Sequence, residues 1–244
     1  MDFTLGDITV AAAVWVPLAS ALGGGALALM GSFGATWQSN RAAHKIRQEE
    51  IERHGAERAY SAFFKLLDAH NSAANLQRQI NEMFDDAAKS GALDMEPCSK
   101  VTELVGAANE VGAIEPHETS FLLTQKQAAL VNEVHLTQKR IANIMASAAK
   151  YNEVRAEIHA FLVANLSEGE LSEGTRISAA FEGKAGFHVD LLVRRANNLL
   201  GQIMEMLEKD VPNSWEVTGR FKTAAKERFG CRFPQFNLEM ASND

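Results

Sequence analysis

Between Asp7 and Arg41 the chain carries no charged side chain. That feature constrains all that follows, because about 20 consecutive uncharged and mostly apolar residues in a helix span the roughly 30 Å core of a bilayer. Residues 8–37 read ITVAAAVWVPLASALGGGALALMGSFGATW. As a helix they would extend about 45 Å, so the pattern predicts one transmembrane helix over 8–37, with 16–36 embedded. Trp15 and Trp37 flank that part, about 33 Å apart at helical rise. One indole then lies at each interface, where an apolar ring and a polar N–H are both accommodated. Pro17 falls near the outer end, where a missing backbone donor disturbs a helix least.

The flanks set an orientation. Residues 1–7 hold Asp2 and Asp7 and no base, whereas Arg41, Lys45 and Arg47 follow the span before the first acid, Glu49. Basic residues favour the cytoplasmic side, which predicts an extracytoplasmic N-terminus and a cytoplasmic C-terminal domain at the cell (inner) membrane. A cleaved signal peptide competes, since Ala19-Ser20-Ala21 has the form of a cleavage site. The lack of a basic n-region and the apolar sequence beyond Ala21 oppose it. Inside the span Ser20, Gly24, Ala28, Ser32 and Thr36 recur at every fourth position. Small side chains at that spacing let helix backbones approach closely in lipid. This stripe is the expected packing face, towards a second copy or another membrane protein.

Beyond the anchor the pattern is helical, and the fold class expected is all-α: the transmembrane helix followed by an elongated antiparallel helical bundle, coiled-coil-like, in the cytoplasm. Ala, Leu, Glu, Lys, Gln and Asn dominate, and only five prolines and two tyrosines occur, which favours helix over sheet. Residues 38–58 form a charged stalk in which Gly55 is a candidate bend. A bundle domain over 59–230 and a C-terminal tail over 231–244 complete the layout. From Tyr60 the apolar residues Phe63, Phe64, Leu67, Ala74, Ile80, Met83, Phe84 and Ala87 mark a buried face, mostly at spacings of three and four. Gly91 and Pro97 end that helix; within 100–123 a short helix from Ser99 to about Asn109 is expected, then an irregular passage through Gly112 and Pro116. Thr124 and Gln127 match a capping box, opening a helix to about Leu166 whose buried side holds Leu130, Val134, Ile141, Ile144, Ala148, Tyr151, Val154, Ile158, Phe161 and Leu162. After a Gly- and Glu-rich loop at 167–175, a third helix is expected over 177–209. Pro212 ends it, and Asn213 with Glu216 opens a short fourth helix to about Phe229. Phe233 and Phe236 are expected to dock on the bundle.

Chemistry is sparse in this sequence. It contains no phosphate loop, no HExxH, no ExxH pair and no GxSxG, and Gly183-Lys184 lacks the glycine spacing that a phosphate loop requires. Cys98 and Cys231 stand far apart without metal-ligand spacing. His70, His135, His159 and His188 lie within predicted helices and would bind metal or sense pH only if the fold gathered them. A net charge of −7 argues against nucleic acid as a partner. No cofactor or metal and no catalytic activity is expected. The expected function is a membrane-anchored helical scaffold or protein-interaction module acting on itself or on a cytoplasmic protein. A signalling or sensory subunit and an enzyme with an unrecognised site are the alternatives.

Overall fold

The computed structural model describes residues 6–92, 94–107, 111–165 and 183–234; for 6–30 it describes the backbone and not the side chains. Among these residues every regular element is a helix, so the chain is all-α. The elements are α1 (Gly6–Lys89), α2 (Pro97–Lys100), α3 (Pro116–Thr124), α4 (Ala128–Asn165), α5 (Gly183–Phe229) and a 3₁₀ turn at Gly230–Arg232. Among the described residues no helix is long and apolar enough to cross a membrane. The uncharged stretch 8–37 lies within α1, and up to position 30 its side chains are outside the description.

The chain divides into two units, 1–54 and 55–244. In the first, every described side chain from 31 to 51 is exposed, including Phe33, Trp37, Ile46 and Ile51. In the second, α1 from Gly55 onward, α4 and α5 pack around two apolar clusters. The first joins Ala69–Ile80 of α1 with Ile141–Ile158 of α4 and Leu192–Leu207 of α5. The other joins Ala56–Leu66 with Leu130 and Val134, and with Val217–Phe229. These pairings fix the directions: α1 and α4 run the same way and α5 runs against both. The antiparallel bundle expected from the sequence is therefore corrected for α1 and α4. The connection 90–127 is long enough to travel back along the bundle and start α4 at the end where α1 entered.

The buried face of α1 also differs from the sequence reading. Ala56, Ala59, Ala62, Ala69 and Ala73 join Phe63, Leu66, Leu76 and Ile80 in the core, while Phe64 is exposed and Tyr60 and Leu67 are half-buried. Alanines bring little area to the core but allow close helix approach, so the larger residues beside them seal the edges. Gly55 is part of the same face and is a packing site, which corrects the proposed bend. A Cβ there would lie 3.0 Å from Cε1 and 3.3 Å from Cζ of Phe229. On α4 the predicted core positions from Leu130 to Ile158 are buried, whereas Phe161 and Leu162 are only half-buried. Phe233 is buried at the end of the bundle, its ring 5.8 Å from that of Phe63; Phe236 lies outside the described residues.

Two helix boundaries depart from the sequence reading for local reasons. Thr124 is the last residue of α3 and its hydroxyl donates to the Phe121 carbonyl, so it caps nothing. The capping box is instead Glu115 with Glu118, at the start of α3. The N–H of Gln127 bonds the Leu122 carbonyl and that of Lys126 the Leu123 carbonyl, a Schellman closure with Lys126 at the left-handed position, φ 60°. In α5, Pro212 lies inside a continuous helix. Its missing donor frees the carbonyl of Glu208, and both residues are exposed, so water replaces the lost bond. The apolar period meanwhile runs on unbroken through Leu207, Val217 and Phe221. Gly183 and Lys184, which fall within the third helix expected over 177–209, open α5.

Two substitutions test this packing by urea denaturation. Gly55→Leu drives a side chain into the Phe229 ring and is expected to lower stability by about 1–3 kcal/mol. Lys126→Gly removes the strain of a left-handed non-glycine residue and is expected to raise it by about 1 kcal/mol.

Candidate functional site

Chemistry-bearing side chains gather where the two apolar clusters meet. On α1 the clusters part between Leu67 and Ala69, beside His70, on α4 between Val134 and Ile141, around Thr137, and on α5 between Leu207 and Val217, around Asp210 and Ser214. Thr137, Asp210, Ser214 and Thr218 are all buried, which forms a polar layer across the middle of the bundle. Buried polar groups destabilise a fold unless they are hydrogen-bonded, and here partners are supplied. Asn213 donates to Thr137 Oγ1 at 3.3 Å, so it is an interior contact and no helix cap. Arg140 reaches Asp210 at 3.3 Å. Thr218 donates back to the Ser214 carbonyl.

His70 is the centre of this layer. Its Nδ1 lies 2.8 Å from Ser214 Oγ, the Ser214 hydroxyl donates to the Val211 carbonyl at 2.7 Å, and the indole of Trp215 packs on the imidazole with ring centres 5.0 Å apart. With the serine proton on Val211, the imidazole donates from Nδ1, which assigns the neutral tautomer by its partners. Burial pushes the His70 pKa down, and a hydrogen bond to the Val211 carbonyl partly offsets that. A Ser–His pair at this distance has the geometry of a nucleophile and its base. Ser214 is, however, fully enclosed, and its hydroxyl is committed to a carbonyl of its own helix. As folded, the pair presents no oxygen to a substrate.

A second set of polar side chains holds the returning connection. Asn152 of α4 accepts from the N–H of Leu104 and donates to its carbonyl, both at 2.9 Å. Gln79 of α1 does the same for Val105, at 3.0 and 3.1 Å. Asn197 of α5 accepts from the Cys98 N–H and donates to Glu96. Tyr151 donates to the Val101 carbonyl at 2.7 Å, Arg155 to that of Cys98 and Gln138 to that of Gly112. Apart from the Glu96 carboxylate, each partner is a backbone group of the connection. Further along, Glu118 is buried and both its oxygens accept from Lys65 Nζ. Burial alone would raise its pKa. Hydrogen bonds from Lys65, Ser61 and the Glu115 N–H outweigh that and hold it below the usual carboxylate range.

The residues singled out in the sequence are placed as follows. Trp37 is exposed, with the Arg41 guanidinium 5.3 Å from its ring centre. Ser32 and Thr36 are exposed, whereas the side chains of Trp15, Ser20, Gly24 and Ala28 lie outside the description. The histidines are not gathered: His135 approaches Thr119 at 3.4 Å, and His188 packs on Phe161 with His159 exposed. Among the described residues no three His, Cys, Asp or Glu side chains come together as a metal site would need. Cys98 is buried and Cys231 exposed. Sequence reasoning missed Ser214, Trp215, Asn152 and Gln79. Gln79, Asn152 and Asn197 each stand half-buried beside a core position, Ile80, Tyr151 and Ala196, which was the available signal. No protein-family model, curated protein or solved structure matches the chain.

The lowered His70 pKa has a definite sign. The folded state holds that proton more weakly than the unfolded chain, so stability is full above the unfolded value of about 6.5 and falls as pH drops below it. Glu118 adds an acid limb: its stabilisation is present above the unfolded carboxylate value and is lost as pH falls through the lower folded one. His70→Gln is therefore expected to flatten the denaturant midpoint between about pH 7 and pH 5, while Glu118→Gln removes loss of stability at lower pH only. A midpoint that falls equally steeply in His70→Gln would contradict the assignment.

Proposed function

We propose that the protein is a membrane-anchored helical interaction module, with α1 supplying both the anchor and one wall of the bundle. One observation supports this most: the single helix Gly6–Lys89 contains the uncharged stretch 8–37 and also supplies core residues of the bundle from Ala56 onward. An uncharged helix of that length is suited to a bilayer, since all its backbone groups are satisfied within the segment. The interior of the bundle is filled by packing and by committed hydrogen bonds, which suits presentation of a surface rather than enclosure of a substrate. On α5, Phe187 and Leu191 stand exposed one turn apart, an apolar pair of the kind that contacts a protein partner. The basic residues Arg41, Lys45 and Arg47 favour a cytoplasmic bundle at the inner membrane.

Anchoring is tested by flotation and alkaline extraction. The protein is expected to stay with the membrane through carbonate washing. Leu22→Arg combined with Leu29→Arg introduces two charges, each costing about 2.5–3.5 kcal/mol at the bilayer centre, and is expected to release a protein whose helical circular dichroism persists. Recovery of the native chain in the soluble fraction would contradict the reading. Orientation is tested at Cys231. Burial raises the Cys98 thiol pKa and hides the side chain, so Cys231 is the reactive thiol. A membrane-impermeant maleimide is expected to label it after lysis and not in intact cells, and Cys231→Ser should abolish that labelling.

A further inference from the structure

The described part of the first unit carries a pattern whose use goes beyond anchoring and orientation. Phe33, Trp37, Arg41 and Lys45 fall at every fourth residue of α1, so they share one side of the helix. Trp37 supports the Arg41 guanidinium from below. Arg47 adds a third cation, and Glu49 is the first carboxylate after Asp7. Arg41, Lys45 and Arg47 are exposed. Among the described residues no carboxylate pairs with any of the three.

Distances along the helix decide what these cations meet. Beyond Trp37, Arg41 lies about 6 Å further, Lys45 about 12 Å and Glu49 about 18 Å. The headgroup layer of one leaflet is about 5–8 Å thick, and interfacial tryptophans sit at its level. With Trp37 at the inner margin, Arg41 falls among the lipid phosphates, and Lys45 and Arg47 lie about 4–10 Å beyond the headgroup layer, within about a Debye length of it, while the acids begin further out. We infer that Trp37, Arg41, Lys45 and Arg47 form a contact site for anionic phospholipid headgroups; this rests on the anchored reading of α1. Arg41 suits the phosphate, because its planar fork donates two parallel hydrogen bonds while its flat face remains on the indole. Lys45 and Arg47 supply charge at a range where each basic residue strengthens association about fivefold.

The test uses the full chain in vesicles of phosphatidylcholine, with or without about one-third phosphatidylglycerol, and spin-labelled forms of each lipid as probes. The native protein is expected to prefer labelled phosphatidylglycerol by about threefold or more at low salt. Arg41→Gln/Lys45→Gln/Arg47→Gln should bring the preference close to one, whereas Glu49→Gln/Glu50→Gln should preserve it. Equal association of both lipids with the native chain, or an unchanged preference in the triple variant, overturns the site. Flotation separates this result from the anchoring claim. Binding to neutral vesicles supports the anchor and leaves the lipid preference to decide the site. Binding only to anionic vesicles, lost in the triple variant, overturns the anchor and sustains the site. Binding to neither overturns both.

Discussion

Between α2 and α3 the connection that runs back along this bundle must have its backbone N–H and C=O groups satisfied without a helix, and the rest of the fold depends on how that is met. An unpaired buried peptide group costs roughly 1–3 kcal/mol. The stretch from Cys98 to Leu104 would expose several such groups to an apolar interior that includes Val101 and Leu104, with Val105 at its exposed edge. Carboxamides solve this where hydroxyls could not, because Asn and Gln each offer a donor and an acceptor in one plane. Asn152 and Gln79 therefore pair with Leu104 and Val105 much as a neighbouring strand would. With that segment held, α4 starts beside the entry of α1 and runs parallel to it.

The polar layer follows from the same topology. Three helices bring His70, Thr137 and Ser214 to one level, and each finds its partner across the interface or on its own helix. A layer of satisfied polar groups between two apolar clusters favours one register, since sliding a helix by a turn would leave Thr137 or His70 facing hydrocarbon. Lys65 and Glu118 do the same for α3, whose carboxylate both caps its own helix and binds a lysine of α1. Specificity in this bundle thus comes from a few inward polar contacts, and the apolar clusters on either side supply most of the favourable burial.

Much of the architecture was legible in the sequence because it follows from periodicity. The buried face of α4 from Leu130 to Ile158 is evident from spacing alone, as is the long helical run into α1. Three features were not. Alanine contributes little to a hydrophobic pattern, so the true face of α1 was masked by Phe64 and Leu67 beside it. Pro212 signals a helix end whenever its freed carbonyl would be buried, and only the fold shows that Glu208 faces water. The connection 90–127 has no period to read, since its partners, Gln79, Gln138, Asn152 and Asn197, are supplied by three other helices. For the same reason the site around His70 was invisible: Ser214 lies 144 positions away from it.

Amide hydrogen exchange at Cys98, Leu104 and Val105 tests this account most directly. These N–H groups lie outside the long helices and bond to side chains of Asn197, Asn152 and Gln79. If the carboxamides hold the connection in place, the three amides exchange as slowly as those of buried helical residues such as Ile144 and Leu200, and Asn152→Leu accelerates Leu104 selectively. Exchange of all three at the rate of an open loop, with the helices still protected, would contradict it.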